Sequence, residues 1–339
     1  MSEYQYYEFQ AVDRPLTKAE LAELRAVSSR ATITPTRFVN VYNFGDFGGD
    51  PSRLMDRYFD AHLYLANWGT RTLMLRLPRT LLAAETLASY CPGETAAART
   101  TAAHAVVEFR SEDEAGDPGE DEYGDGDGRL ADLLPLRVDL AGGDLRALYL
   151  GWLLCAQGDE VLDDHAVEPP VPPGLVQLSE ALRGFVDFLR VDPDWLAVAA
   201  ERSAPLVEHG PTSAQVEAWV RALPEGEKDA LIPRVLAGDG AYLQAGLVQR
   251  LRRDHAPPPV ALAGGAQEGR TVAALREAAE AYAAVRERRE AATAAKERTR
   301  IEAEAATARG RVPGRDCGPG RAALGAGRDA GWVQARQGI

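Results

Sequence analysis

RFVNVYNFGDFGGDPSRLMDRYFDAHLYLANWGTRTLMLRLP, residues 37–78, is the stretch that decides the fold class. Arg37 to Phe44 mixes aromatic and β-branched residues and reads as a strand. Asp50 followed by Pro51 reads as a helix start. The aspartate oxygen accepts from the free amides of the first turn, and proline fits a position that needs no donor. Residues 61–67 and 70–77 read as two strands flanking Trp68-Gly69, a hairpin. Strands that return through a hairpin as well as through helical crossovers mark an α+β domain.

Outward from this stretch the pattern continues. Tyr4 to Val12 is aromatic and reads as a strand. Thr17 with Glu20 forms a capping box, Leu16 can staple onto Leu21, and the helix then runs through Leu21, Leu24 and Val27. Leu81 to Leu87 reads as a helix and Ala103 to Phe109 as a last strand. Residues 1–110 therefore read β-α-β-(α)-β-β-α-β, a two-layer α/β sandwich with a ferredoxin-like arrangement as the specific candidate.

Residues 111–128, SEDEAGDPGEDEYGDGDG, hold nine acids, five glycines and no base, and read as a disordered acidic linker. This one segment supplies most of the chain's net charge of −13. Residues 129–255 read as an all-α domain. Its helices are expected at Leu145 to Cys155, Leu175 to Leu189, after Asp192-Pro193, after Pro211, at Lys228 to Leu236 and at Ala241 to Leu251. This region is acidic, which disfavours nucleic acid as a partner. Residues 256–270 are a Pro/Gly linker. Residues 271–309 read as a long Ala/Arg/Glu helix with a short apolar stripe at Val272, Leu275, Tyr282 and Val285, too short for a sustained coiled coil. Arg286–Glu290, Arg298–Glu302 and Arg300–Glu304 are the expected pairs of a solvated helix face. Residues 310–339, rich in Gly and Arg, read as a disordered extension or as the product of a shifted reading frame.

The three cysteines, Cys91, Cys155 and Cys317, make no disulfide framework. Cys155 reads as an inert core thiol. The start, MSEYQYYEFQ, has no basic region followed by an apolar run, and the longest apolar stretch, Ala147 to Ala156, is shorter than the ~20 residues of a membrane helix. A cytoplasmic protein with no membrane partner is expected. The chain has no Walker A loop, no H-E-x-x-H and no G-x-S-x-G, which lowers the odds of an enzyme, and no cofactor is expected.

Of the 24 aromatic residues, 12 lie within the first 70 positions. A small α+β core needs only some of them, and aromatic residues beside arginine are enriched at protein interfaces. Tyr42, Phe47, Tyr64, Trp68 and Arg71 are therefore the candidate binding residues. The loop from Phe44 to Asp50 is glycine-rich, but Asp46 and Asp50 would repel an anion there, and Asp50 reads as a helix cap. Asp60, His62 and Tyr64 share one face of a strand. With His104 on another strand, Asp60 and His62 are the candidate metal or acid–base cluster.

Residues 37–78, with a likeness that begins near Tyr7, resemble a conserved bacterial family of hypothetical proteins with no assigned function. The resemblance implies no catalytic residues. Family members continue the final helix into more charged helical sequence, and this chain departs from them in its Gly/Arg tail. The expected function is a non-catalytic, cytoplasmic protein-interaction or scaffold protein acting through the aromatic-rich residues 1–110, with another protein as partner. The alternative is a small-molecule-binding protein or enzyme with a site around His62 or between the two domains.

Overall fold

The computed structural model describes residues 4–112, 126–158, 162–206, 213–235, 247, 250, 251, 254 and 269–310. Seven strands, β1 (Gln5–Gln10), β2 (Thr32–Ile33), β3 (Arg37–Tyr42), β4 (Ala61–Ala66), β5 (Arg71–Pro78), β6 (Ala96–Thr100) and β7 (His104–Ser111), form one sheet. Their order is β2-β3-β1-β4-β5-β7-β6, and each neighbouring pair is antiparallel. Within that order β3 stands between β1 and β2, the strand that follows the first helix, and β4 flanks β1 on its other side.

The starts of the first two helices follow from local chemistry. In α1 (Lys18–Val27) the Thr17 hydroxyl accepts from the Glu20 amide, while the Glu20 carboxylate accepts from the Thr17 amide at 2.7 Å. In α2 (Pro51–Arg57) the Asp50 carboxylate accepts from the amides of Ser52 and Arg53. A third helix, α3 (Ala84–Tyr90), precedes β6.

Helices cover both faces of the sheet, where two layers were expected. The reason is visible in β5, RTLMLRLP, buried at every position but its last, so that neither face can be left to water. One face places Leu63, Leu75 and Phe109 in a core shared with α4 (Arg129–Leu133), α5 (Pro135–Ala141), α6 (Arg146–Gln157), α7 (Glu180–Leu189) and α8 (Pro193–Ala200). The other face packs Phe9, Phe38 and Met74 against Leu24 of α1 and Leu54 and Met55 of α2. One hydrophobic core thus joins one face of the sheet to helices expected in a separate domain. Among the described residues, those up to Val285 form one compact unit, and those from Arg286 form a second.

Buried arginines join the helices to the sheet. Arg71 on β5 donates to the carbonyls of Asp187 and Phe188 at the end of α7, at 3.3 and 3.0 Å. In return Arg190, just past α7 in a left-handed conformation (φ 60°), donates to the carbonyl of Gly69 in the β4–β5 turn at 2.9 Å. Positive charge is well placed at a helix C-terminus, where unpaired carbonyls gather. Farther along, Glu168 accepts from Arg270 at 2.8 and 2.9 Å and from the Tyr149 hydroxyl of α6, and Arg270 also reaches the Val198 carbonyl of α8. This group holds the entry to the last helix, α11 (Val272–Gly310).

In α11, Val272, Leu275 and Ala279 are buried, while Tyr282 and Val285 of the expected stripe are exposed. Of the expected exposed pairs, Arg286–Glu290 and Arg300–Glu304 form. Two further helices, α9 (Ser213–Ala222) and α10 (Glu225–Arg234), follow, and Trp219 of α9 meets Leu223 and Leu251 in a small satellite cluster. Most of the helix expected at Ala241 to Leu251 lies outside the described residues, as do residues 311–339 of the tail, 113–125 of the acidic segment and 256–268 of the Pro/Gly segment. The flanks of the acidic segment belong to the fold. Ser111 ends β7, Gly126 lies against the Tyr6 ring, and Asp127 pairs with Arg37.

Helix α6 crosses the sheet closely because Gly151 lacks a side chain. A Cβ there would stand 2.3 Å from Cε1 of Phe109, whose ring is packed edge-on against Phe185. Gly151→Ala is expected to lower unfolding stability by about 1–3 kcal/mol through overpacking, measured by urea denaturation. An unchanged midpoint would show that the interface yields without cost.

Candidate functional site

The register of β1 gathers aromatic residues from three strands and a loop. Tyr7 stands opposite Asn40 of β3 on one side and Tyr64 of β4 on the other. Its ring lies 4.7 Å from Tyr64, 4.9 Å from Phe47 and 6.1 Å from Tyr42. The Tyr7 and Tyr64 hydroxyls both donate to Gln5 Oε1, at 2.8 and 3.2 Å, and the Tyr42 hydroxyl accepts from Asn40. Gln5 in turn donates to the carbonyl of Gly45, which ties the loop after β3 to the sheet. Three candidate binding residues, Tyr42, Phe47 and Tyr64, therefore meet in one half-buried cluster around Tyr7. Phe44, in the same loop as Phe47, is 76% exposed. Burial pushes the Tyr7 and Tyr64 hydroxyls above their usual range, and the nearby Asp46 carboxylate adds to it.

The remaining two candidates do not join this cluster. Trp68 is 44% exposed at the tip of the β4–β5 turn. Arg71 is buried and bonded to the end of α7 on the opposite face of the sheet, with its guanidinium 5.9 Å from the Phe188 ring centre. It is a structural cation and not a surface contact.

Asp60, His62 and His104 are likewise kept apart. Asp60 is buried, accepts from the amides of Val12 and Asp13, and binds Arg76 through both Nε and Nη2, with Arg137 of α5 at 3.8 Å. Burial alone would raise its carboxyl, but Arg137 and Arg76 hold it below the usual range. Its lone pairs are thus spent on protein donors. His62 lies parallel to the Phe9 ring at 3.9 Å, and its Nδ1–H donates to the carbonyl of Glu8 at 2.9 Å. Burial pushes its pKa down to about 4, so the ring is neutral at pH 7. His104 sits opposite Pro78 at the far end of β7, whereas His62 pairs with Met74, which pairs with Glu108. Among the described residues no group of three or more His, Cys, Asp or Glu side chains could hold a metal ion.

Elsewhere, an open groove of about 750 Å³ runs between the segment from Leu175 to Leu178 and α8. Its walls are apolar, with Arg183 and Glu201 at the rim, and it contains none of the candidate residues. Burial raises the thiols of Cys91 and Cys155 to about 12 and 11, well above a reactive range. Among the described residues no helix is long and apolar enough to cross a membrane.

No protein-family model, no curated protein and no solved structure matches this chain.

Two residues that organise the cluster, Tyr7 and Gln5, were not singled out in the sequence. Alternation along β1 places Gln5, Tyr7 and Phe9 on one face, which is the signal that finds the first two.

The buried imidazole has a consequence for stability. Its native pKa near 4 lies below the 6.5 of an exposed histidine, so between these values the unfolded chain holds a proton that the native chain does not. Stability from this group is complete above pH 6.5 and is lost as pH falls toward 4, by about 3 kcal/mol in all. Denaturation at a series of pH values should show this slope, and His62→Phe should flatten it. An unchanged slope in the variant would assign it to other groups. Asp60→Asn leaves two arginines facing a neutral amide and is expected to destabilise by about 3–5 kcal/mol in urea melts. A loss below 1 kcal/mol would show that the pair contributes little.

Proposed function

We propose that this chain is a non-catalytic interaction protein whose aromatic cluster around Tyr7 docks an apolar, basic segment of another protein. The observation that carries the reading is the packing of the half-buried Tyr42, Phe47 and Tyr64 around Tyr7, with Phe44, three-quarters exposed, in the same loop as Phe47. Aromatic residues with an apolar body and a polar tip, partly desolvated and held by neighbours, are the usual anchors of protein interfaces. The Tyr7 and Tyr64 hydroxyls are fixed by Gln5 and that of Tyr42 by Asn40, so these side chains have little freedom left to lose on binding. Asp46 next to the rings favours a partner that brings lysine or arginine.

The alternative, a small-molecule or catalytic site at His62, has weaker support. The imidazole is enclosed by Phe9 and by a main-chain carbonyl, and Asp60 is already paired. A general base must reach the proton it abstracts, and this ring is shut off from solvent. The groove beside α8 lacks the convergent polar groups of a specific ligand site.

Affinity capture with the full chain tests the reading. Phe44→Ser should reduce the captured partner at least tenfold while the melting temperature stays within a few degrees. Asp46→Ala should weaken capture and make it less sensitive to salt. Equal capture by the wild type and Phe44→Ser would overturn the proposal.

A further inference from the structure

The two edges of the sheet differ. The β2 edge is a strand of two residues laid against β3. The β6 edge is a strand of five residues, AAART, and among the described residues no strand lies beyond it. The phase of its hydrogen bonds follows from two contacts. The Arg110 amide donates to the Thr95 carbonyl at 2.8 Å, and the Thr101 amide donates to the His104 carbonyl at 2.8 Å. Opposite residues in an antiparallel pair alternate between bonded and non-bonded. Thr95, Ala97, Arg99 and Thr101 therefore turn their amides and carbonyls toward β7. Ala96, Ala98 and Thr100 turn theirs away.

At Ala96 the outward groups are occupied, since the carbonyl accepts from the Gly93 amide and the amide serves the Cys155 thiol. Ala98 and Thr100 are exposed. Natural edges are guarded by outward lysines, prolines or bulges. This one has none: the only charge on β6 is Arg99, whose side chain turns inward to Asp56 and the Ser52 carbonyl of α2, both at 3.0 Å.

We propose that β6 pairs antiparallel with β6 of a second copy of this chain, about a two-fold axis at Arg99. Ala98 of one copy then exchanges amide-to-carbonyl hydrogen bonds with Thr100 of the other, and the two-fold repeats the exchange. The two open positions lie symmetrically about residue 99, so the edge is its own complement. A foreign peptide added to a sheet edge is selected by pockets for its side chains, and alanine and threonine here offer none. Arg99 faces its own copy across the axis, but each guanidinium is neutralised by Asp56 of its own chain. So short a ladder buries less than the about 1,200 Å² of a stable interface, and the dimer is a weak, concentration-dependent one. The pairing leaves the aromatic cluster free in each copy, because β1 and β3 lie at the other end of the sheet.

Sedimentation velocity of the full chain over a concentration series tests this. The wild type should shift from monomer toward dimer as concentration rises. Ala98→Pro removes the outward amide without removing any bond to β7, so the variant should keep its melting temperature and weaken dimerisation at least tenfold. Ala98→Lys keeps the backbone amide and places a charge on the open edge. It should weaken the dimer to the same extent and serves as the readout if the proline variant fails to fold. A wild type that stays monomeric up to about 1 mM, or a folded Ala98 variant that dimerises like the wild type, overturns the proposal.

Discussion

The carboxylate of Asp60 sits where water cannot reach it, between two arginines and two main-chain amides, and most of the fold is arranged around that fact. A buried carboxylate is tolerated only when its lone pairs are matched by donors. Here the donors come from far apart in sequence: Val12 and Asp13 after β1, Arg76 from β5, and Arg137 from α5. Arg137 also donates to the Arg76 carbonyl and binds Asp13. Satisfying one anion thus brings the end of the first strand, the fifth strand and α5 to the same point. The apolar core supplies most of the free energy, and the ion cluster specifies which surfaces meet.

The same division of labour runs through the molecule. Leucine, alanine and phenylalanine fill the space between α6 and the sheet without choosing a unique alignment. Arginines then set it. Arg71 and Arg190 lock α7 to the β4–β5 turn in both directions, and Arg270 locks α11 through Glu168. Arginine suits this task because its planar fork makes several hydrogen bonds while staying charged. A chain with only three lysines among its 38 basic residues draws its polar core contacts from that chemistry.

Features written in adjacent residues were legible in the sequence. The capping box at Thr17 and Glu20, the Asp50-Pro51 start and the Asp192-Pro193 start all lie where local hydrogen-bonding chemistry puts them. The hairpin around Trp68 was legible for the same reason. Strands β2 and β6 were not. Thr32-Ile33 is too short for a period, and AAART has little intrinsic preference for a strand, so both exist through pairing with their neighbours. Helices α4 and α5 were hidden because Pro135 breaks their pattern next to the acidic run. In the candidate site, the aromatic enrichment was visible, yet which rings meet depends on the register of β1 against β3 and β4. Arg71 shows the limit most clearly. A cation in a strand flanked by threonines reads as surface, and only the arrival of α7 from more than a hundred residues away makes it interior.

The contact between Glu168 and Arg270 bears on the order in which the chain can fold during synthesis. The two residues are 102 positions apart. Until Arg270 has left the ribosome, Glu168 has no guanidinium to offset its burial, and the Tyr149 hydroxyl alone would face the carboxylate. Val272, Leu275 and Ala279 follow at once and close the same corner of the core. The sheet and its first helices can collect as they emerge, but the body must wait, with an apolar surface open, for a late stretch of chain. That delay is the interval in which a nascent chain of this fold is most exposed to chaperones and to its neighbours on the same messenger.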